Sequence, residues 1–251
     1  MLKTQPGLVS ITFRPLSPEQ IIELVAQAGL AGIEWGGDVH VPHGNVERAE
    51  EVRRRTIAAG LRVASYGSYW RAGENNPVTF ADVVRTAETL EAPVIRIWAG
   101  KRSSAAADEE YRQKVINDTR LACDEAAKSG IGVAFEYHQN TLADNTTAAL
   151  RLFNDIGHEN LKMYWQPQQH ESFADRVAGL KAFLPILANV HVTTFSPRQR
   201  LEEALEWQTY LELLSSGPDR ECWTMIEFVK DDTPAQFLED AAVLLKWLRP
   251  R

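Results

Sequence analysis

The chain carries only two cysteines, Cys123 and Cys222, and no C-x-x-C pair. A disulfide framework and a zinc-ribbon or thioredoxin-like motif are therefore excluded, and both thiols are expected reduced in a cytoplasmic protein. Basic charge is also short: 27 Lys and Arg stand against 34 Asp and Glu, for a formal net charge of −7. A grip on a phosphate backbone needs a basic face, so nucleic acid is not the expected partner. The longest basic run, Arg53-Arg54-Arg55, falls in an amphipathic stretch and reads as a solvated helix face. No apolar run approaches the ~18 residues that span a bilayer, and the first ten residues have no apolar core of a signal peptide. No membrane partner and no leader are expected. Neither G-x-G-x-x-G nor G-x-x-x-x-G-K-[ST] occurs, which removes the two common phosphate-cradling loops.

What is present is alternation. Short β-branched runs are followed by longer amphipathic stretches that open on Ser, Thr, Asp or Asn and close on Gly. Strands are predicted over 8–13, 32–35, 62–66, 93–98, 132–137, 161–165, 189–193 and 223–228. The intervening helices fall near 17–28, 46–59, 79–90, 108–129, 146–156, 173–187, 201–214 and 234–248. Eight consecutive βα units without a break in composition predict an α/β fold: one (β/α)8 TIM barrel over residues 1–251, a parallel closed sheet with outer helices. The length of 251 residues suits it.

Barrel enzymes carry their chemistry at the C-terminal strand ends. There the otherwise apolar strands deliver Glu136 and His138 from strand five, Gln166 from strand six, His191 from strand seven and Glu227 from strand eight. Charges in such surroundings are costly unless paired or bound to a cation. Glu34, Asp38 and His40 after strand two, Arg96 on strand four, and Lys101 and Arg198 in loops are candidate substrate contacts. Trp35, Trp70, Trp98 and Trp165, at or near strand ends, suit either the apolar face of a sugar or packing beneath loops.

The runs Val-Ala-Phe-Glu136-Tyr-His138, Asn-Val-His191-Val and Met-Ile-Glu227-Phe resemble the xylose isomerase-like TIM-barrel superfamily of sugar phosphate isomerases and epimerases. The resemblance implies a divalent metal ion (Mn, Mg, Co or Zn) held by Glu136, Gln166, His191 and Glu227. It implies Glu136 and Glu227 as the acid–base pair of an enediolate mechanism. The implied substrate is a small sugar or polyol; Glu34, His40, Arg96, His138, Gln169 and Arg198 are the candidate contacts for it. One position departs from the family, where Asp is followed three residues later by His. Here Gln166 stands at the Asp and Gln169 at the His, so the metal would meet two carboxylates instead of three. Three other readings remain open: a sugar-binding barrel that has lost its metal, an apurinic-site endonuclease-like hydrolase, and a lyase that dehydrates a keto-inositol. The endonuclease-like cluster needs many His ligands, and this chain has six His in all. Members of the superfamily are often homo-oligomers, a state the sequence leaves open.

Overall fold

The structure is a computed structural model that describes residues 3–249. Eight parallel strands close into a barrel in sequence order, β1 pairing with β8. They are β1 (Lys3–Val9), β2 (Gly32–Gly36), β3 (Arg62–Arg71), β4 (Val94–Trp98), β5 (Gly132–Glu136), β6 (Leu161–Trp165), β7 (Leu187–Val192) and β8 (Glu221–Ile226). The helices are α1 (Pro18–Gln27), α2 (Val46–Ala58), α3 (Phe80–Thr89), α4 (Glu109–Ala127), α5 (Thr146–Ile156), α6 (Phe173–Phe183), α7 (Glu206–Ser215) and α8 (Pro234–Leu248). None is long and apolar enough to cross a membrane.

The helix starts follow from their caps. Ser17, Asn45, Thr79, Asp108, Asn145, Ser172 and Thr233 each accept a backbone N–H of the first turn. Period-2 alternation sorts the strands. Val133, Phe135 and Tyr137, with Leu161, Met163 and Trp165, join the large core between sheet and helices. The intervening residues turn inside the barrel, where Val9, Ala64, Ala134, Tyr164, Trp223 and Met225 form a second, smaller core. Above it the inward positions become polar: Glu34, Arg96, Glu136, Gln166, His191 and Glu227 are all buried.

Several boundaries differ from the sequence reading; β3 runs five residues further, to Arg71. The first strand lies at Lys3–Val9, and Ser10–Phe13 form a 3-10 turn. Pro6 lies inside it and lacks an N–H, yet its carbonyl accepts from Ala31 N at 2.8 Å. The β-branched run instead turns, because Ser10 Oγ accepts from Gly36 N at 2.9 Å and Thr12 Oγ1 from Phe228 N at 3.0 Å. The sixth helix stops at Phe183, and a turn through Pro185 leads to β7 at Leu187. The stretch from Leu201 splits into a 3-10 turn, Leu201–Glu203, and α7.

Candidate active site

Glu136 ends β5, His191 lies one residue before the end of β7, and Glu227 follows β8 directly, its N–H still bonded to Val192 O at 2.9 Å. The parallel register therefore sets all three at one barrel mouth. One ligand atom from each falls within 4.8 Å of the others. His191 Nδ1 is 3.7 Å from Glu136 Oε1 and 3.5 Å from Glu227 Oε2, and its Nε2 is 3.4 Å from Glu34 Oε1. Phe228, next in the chain, has φ +59, a left-handed conformation that bulky residues rarely adopt and that turns the backbone sharply after Glu227.

Charge runs through this layer without dilution by solvent. Arg96 Nε donates to Glu34 Oε1 at 2.8 Å, and Arg96 Nη1 pairs with Glu136 Oε2. Ser65 Oγ donates to Glu34 Oε2 at 2.7 Å, and the Tyr69 ring lies 5.0 Å from the Arg96 guanidinium carbon. Burial alone would keep Glu34 protonated, but Arg96 and His191 outweigh it and hold its pKa well below the ordinary value. Glu227 is likewise lowered: burial is overcome mainly by His191. Burial would deprotonate His191, yet Glu227 and Glu34 raise it to about 10.

A dication fits this group. Both ring nitrogens of His191 are sealed from solvent with no hydrogen-bond partner, while carboxylate oxygens converge on them. The proton retained on His191 stands where a cation's charge would serve. Gln166 joins by another face of its side chain: Nε2 donates to Glu136 Oε1 at 3.2 Å and to Tyr137 O at 3.0 Å. A half-turn of the amide offers its oxygen instead. Two carboxylates, an imidazole and an amide oxygen suit a borderline-to-hard divalent ion.

Above the group opens a cavity of about 480 Å³. His138, Gln166, Gln169, Arg198 and Glu227 line it. His138 stacks on Trp98 with ring centroids 4.7 Å apart, and Gln169 exchanges two hydrogen bonds with the backbone of Ser196. The Arg198 guanidinium carbon sits 4.3 Å from the Phe228 ring. Glu34, His40 and Arg96 are placed elsewhere. Glu34 and Arg96 lie in the barrel beneath the mouth. His40 is buried behind β2, its Nδ1 2.9 Å from Ser10 Oγ, and burial lowers its pKa. The sequence reading missed Ser65, Tyr69 and Gln168, whose Nε2 donates to Tyr137 O at 2.9 Å. Ser65 carried no signal in the sequence, because it pairs with Glu34 only through a register shift between Ile33 and Glu34. Gln168 carried none apart from its place beside Gln166.

Comparison with known proteins identifies the family and the fold. The family described as Xylose isomerase-like TIM barrel matches residues 22–246. A 3-dehydroshikimate dehydratase of Bacillus anthracis is 26% identical over 212 residues, 76% of this chain and 71% of that protein. Among solved structures, the probable 3-DHS dehydratase involved in petrobactin synthesis from Bacillus anthracis superposes with a TM-score of 0.77 at 19% identity. That match covers 98% of this chain and 99% of the other. A D-psicose 3-epimerase from Clostridium cellulolyticum H10 gives a TM-score of 0.74 at 14% identity, covering 98% of each chain.

Proposed function

We propose, from the premise that the chain belongs to the xylose isomerase-like TIM-barrel family, that it is an enzyme removing the proton beside the carbonyl of a polyhydroxylated carbonyl compound. In this reading it is an isomerase. The observation that carries it is the position of Glu227. Of the three carboxylates Glu34, Glu136 and Glu227, it is the one that lines the cavity, where a substrate carbon can reach it.

Glu136, Gln166, His191 and Glu227 would hold a divalent cation, which when bound supplies Lewis-acid polarisation of the substrate carbonyl. Glu227 takes the proton from the neighbouring carbon through a carboxylate oxygen. The C–H pair becomes the C=C bond of an enediolate, and the carbonyl pair moves to oxygen. Glu227 then returns the proton to the former carbonyl carbon, while the hydroxyl proton crosses to the adjacent oxygen. One carboxylate on one face suffices for this transfer. Epimerisation asks for a second group on the opposite face, and Glu136 would have to leave Arg96 to provide it. Arg96 and Glu34 are positioning residues: the guanidinium pins one oxygen of Glu136, leaving the other beside Gln166 and His191.

A second reading is dehydration. It shares the first step, after which the proton on Glu227 passes to a hydroxyl two carbons from the carbonyl and water leaves. The same single-carboxylate geometry favours it, as does the 26% identity to a 3-dehydroshikimate dehydratase.

The test is a panel of ketoses and cyclic hydroxy-ketones incubated with metal-loaded protein in D2O. Deuterium should enter the carbon beside the carbonyl, and Glu227→Gln should slow that entry by about 10²–10⁴-fold. Isomer of unchanged mass, apart from deuterium, supports isomerisation, and loss of 18 mass units supports dehydration. Absence of deuterium entry on every compound, or full exchange by Glu227→Gln, overturns the proposal.

A further inference from the structure

Among the described residues seven arginines lie over aromatic rings, and six of the seven are also held by another partner. Arg14, Arg62, Arg96, Arg102 and Arg176 each pair with a carboxylate, and Arg71 donates to Gly100 O at 3.0 Å. Arg198 is the exception. Its guanidinium carbon lies 4.3 Å from the Phe228 ring, and among the described residues it has no hydrogen bond and no ion pair. None of its nitrogens is sealed from solvent, and it lines the cavity of about 480 Å³ together with Glu227. The ring occupies one face of the guanidinium and leaves the N–H groups around its edge free.

The chain that carries Arg198 is pinned. Gln169 holds both backbone groups of Ser196: Nε2 donates to the carbonyl at 3.0 Å, and Oε1 accepts from the N–H at 3.2 Å. Thr194 Oγ1 closes the loop around Arg198, accepting from Gln199 N at 3.2 Å and donating to Gln199 O at 3.1 Å. The ring beneath belongs to a residue held at φ +59, a strained backbone for a bulky side chain. The positive charge is therefore fixed at the mouth. Around it the wall offers amides and hydroxyls from Gln166, Gln168, Gln169, Thr193 and Thr194, and Glu227 is the one acidic residue lining the cavity.

A planar fork with free edges matches a carboxylate through two parallel N–H···O bonds. A phosphate fits less well. It brings a charge of about −1.5 to −2, which one guanidinium leaves unbalanced. Lys101, in the chain after β4, is tied to Glu74 at 2.7 Å. The geometry points to Arg198 as a specificity-determining residue that receives a carboxylate of the substrate, which makes the substrate a hydroxy-keto acid and not a neutral sugar. Phe228 directly follows Glu227, so the anion position and the reacting carboxylate are fixed to one stretch of chain. The inference rests on the reading of the Glu227 mouth as the reacting site.

The experiment measures, by calorimetry on the manganese-loaded protein, two matched pairs that differ in one carboxylate: D-fructuronate with D-fructose, and quinate with methyl quinate. At least one acid should bind about 10–100-fold more tightly than its neutral partner. Arg198→Gln, which breaks no hydrogen bond of the fold, should remove that margin, and Arg198→Lys, which keeps the charge but not the fork, should retain part of it. Equal binding within both pairs, failure of both acids to bind, or a margin that survives Arg198→Gln overturns the site. D-Fructose 6-phosphate binding more tightly than either acid overturns the carboxylate assignment. An Arg198-dependent margin with no deuterium entering either ketose in D2O supports the anion site and sinks the reading of Glu227 as a base. Deuterium entry into both ketoses with no margin does the reverse.

Discussion

Glu34 governs how His191 can act. Its oxygen faces His191 Nε2, while Glu136 and Glu227 face Nδ1. A cation on the Nδ1 side leaves the Nε2 proton to Glu34, the carboxylate–histidine arrangement that raises ligand basicity. Glu34→Gln should therefore weaken metal binding by about 10–100-fold; a calorimetric titration with unchanged affinity would remove Glu34 from this role. The proton on His191 sets a second expectation. Its pKa of about 10 means the metal-free protein binds that proton at neutral pH, and cation binding must displace it. Titrations at pH 7.5 in buffers of different ionisation enthalpy should show about one proton released per metal bound. The linkage sign follows: a raised histidine pKa stabilises the metal-free fold most below the unfolded value of ~6.5, and this contribution disappears as pH climbs through about 10. Gln166 completes the residue scale. Gln166→Asp would put a carboxylate against Glu136, so the chelated protein should melt lower. Metal should bind about tenfold more tightly, ~1.4 kcal/mol, because the added charge meets the dication. Equal affinities would show that Gln166 does not touch the metal.

At the scale of elements, the buried charges depend on close approach between neighbouring strands. Gly67 of β3 is paired with Arg96 of β4. A Cβ added there would lie 2.7 Å from Arg96 Nη2 and 2.9 Å from Glu34 Oε1, inside any real contact. Gly67→Ala should therefore push the ion pair apart at a cost of about 1–3 kcal/mol, measurable as a lowered denaturation midpoint, and should disturb metal binding although position 67 touches no ligand. An unchanged midpoint would mean that the Glu34–Arg96 pair tolerates displacement. Much of this scale was legible in advance. The alternation through Val133–Glu136 and Leu161–Trp165 separates inward from outward positions, and the caps Asn145 and Thr233 locate helix starts within a residue. The β1 boundary was not legible, because hydrogen bonds from Gly36 and Phe228, distant in sequence, turn Ser10–Phe13 away from extended backbone.

The whole molecule is held shut by β1 against β8, paired over six residues from Lys3↔Glu221 to Leu8↔Ile226. Every strand has two neighbours, so no part of the barrel has a core of its own to keep once closure is lost. Chemical denaturation should show one transition, coincident by tryptophan fluorescence and far-ultraviolet circular dichroism. Two separated transitions would argue for independently stable halves.

The sequence alone determined the eight βα units and the order of Glu136, His191 and Glu227 at the ends of successive strands. These are local properties, written in a period of two along strands and in the caps of helices. Closure decided the partnerships. Arg96 lies 62 residues from Glu34 and 40 from Glu136, and only the barrel's register drops it between them. The same closure placed Glu34 beneath His191 and aimed the Gln166 amide at Glu136. Electrostatic partnership depends on distance in space, and periodicity along the chain carries no record of it.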